Sequence, residues 1–128
     1  MPSLLLDTHT FIWLSENDSN LPVSTRDRIE ETEDVFVSIA SFWEISIKLT
    51  IGKLSLQADF DEIEARFAET RFQLLPILMR DTVQLRRLPL HHRDPFDRIL
   101  VAQAINHSLA LVSADAAFDA YPIQRVWI

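Results

Sequence analysis

The sequence predicts an α/β fold, in which helices cover both faces of a central, mostly parallel sheet of five strands. Five short runs are rich in apolar residues and have the length of buried strands: residues 3–6, 35–37, 72–77, 109–113 and 124–128. Longer segments between them repeat apolar residues at helical spacing. Strands that alternate with helices are typical of parallel sheets covered on both faces. We therefore expect a three-layer sandwich.

The predicted helices begin and end at residues that are typical of helix ends. Ser38 and Asp94 stand where a side chain can cap a first turn, and Pro95 occupies a first helical position. Gly52, the only glycine, follows a helix that ends near Ile51. The expected helices cover residues 8–14, 24–33, 38–51, 59–70, 80–88 and 95–107. No repeat or linker separates them, so residues 1–128 are expected to form one domain.

The composition excludes several classes of function. The chain has no cysteine, which excludes disulfides, thiolate zinc sites and cysteine nucleophiles. Its start lacks the basic leader of a signal peptide, and no segment approaches the roughly 18 apolar residues that span a bilayer. A single glycine excludes a glycine-rich nucleotide loop. We expect a soluble cytoplasmic protein that does not contact a membrane.

The charge distribution leaves an anionic substrate possible. The formal net charge is −7, and the acidic excess lies in the first half of the chain. A run of arginines between Arg80 and Arg98 offers positive charge that a polyanion would need. The alternative is that these arginines form only a solvated face.

Four carboxylates that are distant in sequence are expected to meet at one edge of the sheet. Asp7 directly follows the first strand, and Asp115 lies two residues after the fourth. Glu44 lies on the helix that follows the second strand, and Asp97 lies in the first turn of the helix at 95–107. In an open parallel sheet, ligands bind outside the carboxyl ends of the strands. This convergence predicts a binding site there.

Each acid also has a purely structural interpretation. Asp7, Asp97 and Asp115 could cap helices or turns, and Asp94 is best interpreted as a helix cap. Glu44 is the only charged residue from 35 to 47, so a buried carboxylate there must be paired, protonated or bound to a cation. Lys48, four residues later, could pair with it.

The acidic cluster favours a divalent metal ion. Clustered carboxylates repel one another, and a hard cation such as Mg²⁺ or Mn²⁺ removes that repulsion. Such an ion lowers the pKa of a bound water and neutralises charge on a phosphodiester during its cleavage. It also lets an acidic pocket bind a polyanion. These residues therefore predict an oxygen-ligand metal site that could act on a phosphodiester.

The sequence closely resembles the PIN-domain ribonucleases, and within them the VapC-type toxins of bacterial toxin–antitoxin pairs. Four segments carry the resemblance in family order: LLLDTHT at 4–10, SIASFWEI at 38–45, HRDPFDR at 92–98 and LVSAD at 111–115. The resemblance covers essentially the whole chain. It implies a Rossmann-like PIN fold and an Mg²⁺- or Mn²⁺-dependent endoribonuclease that cuts single-stranded or structured RNA.

The resemblance also assigns roles to individual residues. The catalytic and metal-binding acids are Asp7, Glu44, Asp97 and Asp115. Of these, Asp7 and Asp97 are expected to bind the ion directly, whereas Glu44 and Asp115 bind a second ion or hold the attacking water. Three further residues are expected to support the ligands: Thr8, Ser113 and Asp94. Independently of the resemblance, Arg93 and Arg98 of the arginine run are expected to contact RNA. Ser113 stands where a threonine is common.

The partners follow from the resemblance in the same way. It implies a homodimer and a cognate antitoxin whose tail occupies the active-site groove. Candidate surfaces are residues 42–54 and the exposed part of the helix that begins at Asp59, although both could be core.

Rival interpretations fit the sequence less well. A haloacid-dehalogenase-type phosphatase needs an acid where His9 stands, and a response-regulator receiver needs a late lysine that the chain lacks. The main alternative is a PIN-fold module that binds RNA or a partner without cleavage.

Overall fold

The fold is built on a five-stranded sheet in which every neighbouring pair of strands runs parallel. The computed structural model describes residues 2–128. The strands are β1 (Leu4–Leu6), β2 (Val35–Ser38), β3 (Gln73–Leu75), β4 (Ala110–Val112) and β5 (Arg125–Val126). Their order across the sheet is β3-β2-β1-β4-β5. The predicted parallel α/β sheet is confirmed, and it contains no antiparallel pair among the described residues.

Within residues 2–128, six α-helices connect the strands. They are α1 (Thr8–Ser15), α2 (Val23–Glu31), α3 (Ile39–Thr50), α4 (Ile63–Ala68), α5 (Met79–Arg87) and α6 (Pro95–His107). The helix predicted at 59–70 is shorter than expected, because its first turn, Phe60–Glu62, is a 3-10 helix. The strand predicted at 72–77 ends at Leu75, because Pro76 has no N–H to donate to a neighbouring strand. A 3-10 helix at Ala116–Ala120 was not predicted.

Two hydrophobic cores lie on the two faces of the sheet. Because side chains alternate along a strand, Leu5 packs into one core while Leu4 and Leu6 pack into the other. Residues of α6 dominate the first core, and residues of α1, α2 and α3 contribute to the second. All three leucines are completely buried. This arrangement is the predicted three-layer sandwich.

The predicted helix ends are also found. The Ser38 hydroxyl accepts a hydrogen bond from the Ala40 N–H, and an Asp94 oxygen accepts one from the Phe96 N–H. Gly52 has a φ of 73°, the left-handed backbone that follows many helices. No helix among residues 2–128 is long and apolar enough to cross a bilayer.

Arg71 ties the end of α2 to the segment that leads into β3. Its guanidinium donates hydrogen bonds to four carbonyl oxygens, at distances from 2.6 to 3.2 Å: those of Ile29, Glu30, Thr32 and Glu33. Since the last carbonyls of a helix have no partner within it, this arginine satisfies groups that water would otherwise have to solvate.

Candidate active site

The strand order places the candidate site at a topological switch point. The chain passes from β1 outward to β2 and β3, and then returns to β4 on the other side of β1. Ligands of open α/β sheets bind where neighbouring connections diverge in this way. Asp7 follows β1 and Asp115 follows β4, so both stand at this point. The Thr10 hydroxyl donates to the Val112 carbonyl at 3.0 Å, which joins the start of α1 to the end of β4.

Asp7 is buried at the start of α1. Its Oδ1 accepts a hydrogen bond from the Thr10 N–H at 2.8 Å, so the capping interpretation of Asp7 is correct as far as it goes. Burial raises the pKa of Asp7 above its ordinary value, although hydrogen bonds from Ser113 and Thr10 partly oppose this shift. A nearby cation would stabilise the ionised form of this buried carboxylate.

Glu44 is buried on α3, and both of its oxygens have partners. Oε1 accepts a hydrogen bond from the Thr8 hydroxyl at 2.7 Å, and Oε2 lies 2.6 Å from Lys48 Nζ. The Thr8 hydroxyl also lies 3.0 Å from Ser41 Oγ. The hydrogen bond to Glu44 raises the pKa of Lys48, and the charges of Asp94 and Asp97 add to this effect. The alternative that Lys48 pairs with Glu44 is therefore realised, at the edge of the acidic cluster.

The negative charges of the other acids raise the pKa of Asp97. Its pKa is raised to about 7, first by burial and then by the negative charge of Asp94, with smaller contributions from Glu44 and Asp7. Only His92 lowers it among the principal causes. The acids that follow β1 and lie on α3 and at the start of α6 are therefore close enough for their charges to act on Asp97.

Asp115 is held by hydrogen bonds to both of its oxygens. Oδ1 accepts from the Ala117 N–H at 3.0 Å, and Oδ2 lies 3.0 Å from His92 Nε2. Burial raises the pKa of Asp115, but the hydrogen bonds from His92 and Ala117 outweigh it, so that the pKa lies below its ordinary value. The side chain is half exposed and stays ionised.

A group of side chains at this edge can hold a metal ion. One ligand atom from each of His92, Asp97 and Asp115 lies within 4.8 Å of the others, and this is the one such cluster found within residues 2–128. Two carboxylates and an imidazole suit Mn²⁺, and the carboxylates suit Mg²⁺. The donor chemistry therefore fits a divalent cation. Asp7 and Glu44 lie outside this cluster but within electrostatic reach of Asp97.

Three predicted supporting residues have defined contacts. Thr8 binds Glu44, and the Ser113 hydroxyl contacts Asp7 and accepts from the Asp115 N–H at 3.0 Å. Asp94 caps α6, which is the role that the sequence favoured, and also raises the pKa of Asp97.

The two arginines expected to contact RNA differ in their surroundings. Arg98 donates hydrogen bonds to the carbonyls of Pro89, Leu85 and Leu88, which engages its guanidinium in joining α5 to α6. Arg93 is exposed. It is the one of the pair whose charge faces solvent.

His92 is the site residue that sequence reasoning missed. The available signal was its place in the segment HRDPFDR, two residues before Asp94. Its contact with Asp115 depends on how the loop before α6 lies against the 3-10 helix at Ala116–Ala120, which local sequence patterns do not reveal.

The comparisons with known proteins agree with this architecture. A family model for the PIN domain matches residues 4–124. No curated protein matches the chain in sequence. The chain is similar in structure to VapBC2 from Rickettsia felis bound to a promoter DNA fragment, with a TM-score of 0.75, 12% identity, and coverage of 98% of this chain and 99% of that one.

Two further solved structures show the same fold. DNA-bound VapBC from Salmonella typhimurium has a TM-score of 0.69 at 18% identity and covers 98% of both chains. FitAcB from Neisseria gonorrhoeae has a TM-score of 0.66 at 19% identity and covers 95% of both. At these identities the likeness establishes the fold alone. Together with the family match over nearly the whole chain, it shows that this protein belongs to the PIN domain family.

Proposed function

We propose that this chain is a divalent-metal-dependent endoribonuclease that acts in the cytoplasm as the toxin of a toxin–antitoxin pair. The observation that carries the proposal is the convergence of Asp97 and Asp115 at the switch point, where the charges of Asp7 and Glu44 also raise the pKa of Asp97. A module that only bound RNA would have no need for acids that repel both one another and the phosphate backbone.

Asp97 and Asp115 would hold the ion, with Asp7 beside them. A bound divalent ion supplies an acidified water and neutralises charge that develops on the phosphodiester. Asp97, with a pKa of about 7, readily exchanges its proton for a cation at neutral pH. Asp115, whose pKa is lowered, is ready to bind without losing a proton first.

Lys48 and Arg93 supply positive charge next to the acids. Lys48 Nζ uses one N–H for Glu44, and its side chain is 33% exposed, so its other donors can contact a substrate phosphate. Arg93 is exposed on the loop that leads into α6. These two side chains would position the RNA backbone over the acidic cluster.

Cleavage of defined RNAs tests the proposal directly. The purified chain is incubated with single-stranded and hairpin RNAs in Mg²⁺, Mn²⁺ or EDTA, and the cuts are mapped. We expect cleavage with either ion and none in EDTA. Asp97→Asn should be inactive, whereas Asp27→Asn, which removes an exposed acid on α2, should cleave normally. RNA binding that is equal with and without metal, and without cuts, would identify a binding module instead.

An apolar groove beside α4 is the proposed binding site of the antitoxin. The groove has a volume of about 820 Å³ and is bordered by residues of α1, α2 and α4. Its apolar lining includes Phe11, Phe60, Ile63, Phe67 and Phe72. Acids outnumber bases along it: Glu16, Glu30, Asp59, Glu62 and Glu69 against Arg26 and Arg66. This chemistry suits an amphipathic segment with basic residues. The similar structures are themselves toxin–antitoxin complexes.

Two alanines of α4 provide a matched test of this groove. Ala65 lines the groove and Ala68 does not, although both are exposed. The antitoxin candidate is the small protein encoded next to this chain, if one is present, and its binding is measured by calorimetry. Ala65→Trp should abolish the complex, whereas Ala68→Trp should retain it. Equal binding by both variants would place the antitoxin elsewhere.

A second copy of the chain is the proposed occupant of an apolar patch, which we define as Ile39, Trp43, Ile47, Leu78 and Met79. These side chains are between 38% and 82% exposed. The first three follow one another at four-residue spacing along α3, and the pairing of Ser38 with Leu75 brings the start of α3 beside the segment that enters α5. Contiguous exposed apolar residues are typical of an interface.

Sedimentation equilibrium tests the homodimer. Ile47→Glu places a charge inside the patch, whereas Val23→Glu places one on α2 at a position that is 73% exposed. We expect the first variant to be monomeric and the second to remain dimeric. A monomeric unmodified chain would refute the dimer.

A further inference from the structure

His92 is held in one place by its aromatic neighbours. Its ring stacks with Phe118 at a centroid distance of 4.4 Å and with Tyr121 at 5.5 Å, with interplanar angles of 24° and 21°. All three residues are at least nine-tenths buried. The imidazole therefore has little freedom to turn, and its two nitrogens point at fixed partners.

The hydrogen bonds around Tyr121 determine where the imidazole carries its proton. Tyr121 Oη accepts a hydrogen bond from the His92 backbone N–H at 3.0 Å, and its own O–H is then free to donate to His92 Nδ1 at 3.3 Å. In the neutral imidazole this arrangement makes Nδ1 the acceptor and leaves the proton on Nε2. The opposite tautomer would set the Nε2 lone pair against the carboxylate of Asp115, which is unfavourable at 3.0 Å.

The proton on Nε2 gives His92 a defined task. It donates to Asp115 Oδ2, while the Ala117 N–H donates to Oδ1, so that both oxygens are held in one orientation. One lone pair of Oδ2 stays available to a cation. Partners behind a ligating carboxylate or imidazole fix its orientation and commonly change metal affinity ten- to hundredfold.

We propose that His92 is a positioning residue, which orients the Asp115 carboxylate for the divalent ion through its Nε2–H and does not itself bind the ion. This inference rests on the proposed function. It reduces the cluster of three possible ligands to its two carboxylates, Asp97 and Asp115. Oxygen-only ligands allow Mg²⁺ to bind, whereas an imidazole ligand would favour transition-metal ions.

The tautomer is measured by NMR on the metal-free protein with ¹⁵N-labelled histidine, above the usual titration range of imidazole. We expect Nε2 of His92 to carry the proton and Nδ1 to be unprotonated, and we expect addition of Mg²⁺ to leave this pattern unchanged. A proton on Nδ1, or loss of the Nε2 proton when Mg²⁺ binds, would overturn the proposal and identify His92 as a ligand.

Three variants separate hydrogen bonding from packing. Phenylalanine keeps a ring against Phe118 and Tyr121 but has no donor, alanine removes both, and glutamine places an amide N–H near the position of Nε2. Mn²⁺ affinity is measured by calorimetry. We expect His92→Phe and His92→Ala to bind Mn²⁺ about ten- to hundredfold more weakly, and His92→Gln to recover most of the affinity. Unchanged affinity in His92→Phe would overturn the proposal, and thermal melts identify any variant that fails to fold.

The unmodified chain distinguishes failure of the role of His92 from failure of the proposed function. If it binds Mn²⁺ and cuts RNA while His92→Phe does so with equal affinity, only the role of His92 is refuted. If it neither binds Mn²⁺ nor cuts RNA, the proposed function is refuted, and the role of His92 is refuted with it.

Discussion

Replacing Asp97 with asparagine should stabilise the metal-free protein at alkaline pH. Asp97 has a pKa of about 7 in the fold, against an ordinary value of 3.8, because burial and the charges of Asp94, Glu44 and Asp7 oppose its ionisation. A group with a raised pKa contributes stability that is fully present below the unfolded pKa and is lost as the pH rises through the folded pKa. Asparagine cannot ionise, so the variant does not suffer this loss.

The size of the effect follows from the shift in pKa. About three pH units correspond to about 4 kcal/mol at 1.36 kcal/mol per unit. Asp97 is only partly buried, and solvent screening reduces this upper limit to about 1–2 kcal/mol. For a domain of this size, about 4 °C per kcal/mol converts this to a rise in Tm of about 4–8 °C.

Thermal melts in EDTA, followed by circular dichroism, measure the difference. Asp97→Asn should melt about 4–8 °C above the unmodified chain at pH 8.5, and the gap should shrink as the pH falls from 7 towards 4. Asp27→Asn is the matched control, because it removes the same charge from an exposed position on α2. Asp27→Asn should have nearly the same Tm as the unmodified chain, both at pH 8.5 and as the pH falls towards 4.

Saturating metal should reverse which of the two, Asp97→Asn or the unmodified chain, has the higher Tm. Saturating Mn²⁺ stabilises whichever chain binds it, so the unmodified protein should gain in Tm and Asp97→Asn should not. A raised pKa of Asp97 is refuted if Asp97→Asn is less stable than the unmodified chain in EDTA at pH 8.5, or if its advantage in Tm does not depend on pH.

Three further outcomes are expected. Asp7→Asn should abolish RNA cleavage in a gel assay while the far-UV circular dichroism spectrum stays unchanged, and residual full activity would remove Asp7 from the site. Lys48→Met should cost about 2–4 kcal/mol in urea unfolding, because it leaves Glu44 buried without its cation, and adding Glu44→Gln should restore most of that loss. Arg71→Lys should cost about 1–3 kcal/mol in the same assay, because an ammonium cannot bind four carbonyls as a guanidinium does, and an unchanged midpoint would contradict this.

The fold could be predicted where local patterns and burial agree. β1 and α6 were expected within one residue of their ends, because a continuous apolar run and a capped helix beginning with Pro95 each have a single interpretation. The helix expected at 59–70 was too long, since apolar spacing does not distinguish a 3-10 turn from an α-helix. The 3-10 helix at Ala116–Ala120 has no signal of its own beyond the capping Asp115.

The candidate site could be predicted only in part, because some of its side-chain contacts depend on tertiary packing. The rule for parallel sheets depends only on the direction of the strands, and two of the four acids that it concerned, Asp97 and Asp115, have ligand atoms within 4.8 Å of each other. Side-chain contacts across the loop before α6 depend on tertiary packing, and therefore His92 was missed. For Glu44 the sequence left open a pairing with Lys48 or a cation, and the side chains now show the pair.

The central position of β1 has a consequence for the timing of folding. The Thr10 hydroxyl and the Val112 carbonyl, which join the start of α1 beside β1 to the end of β4, are 102 positions apart, so this junction is a contact of very long range. Such contacts form slowly, and a chain emerges from the ribosome with its N-terminal part first. A nascent chain therefore carries Asp7 and Glu44 long before β4 delivers Asp115 to them. In an unfinished copy of a protein built in this way the acidic cluster is not assembled, so the candidate site forms only when synthesis is almost complete.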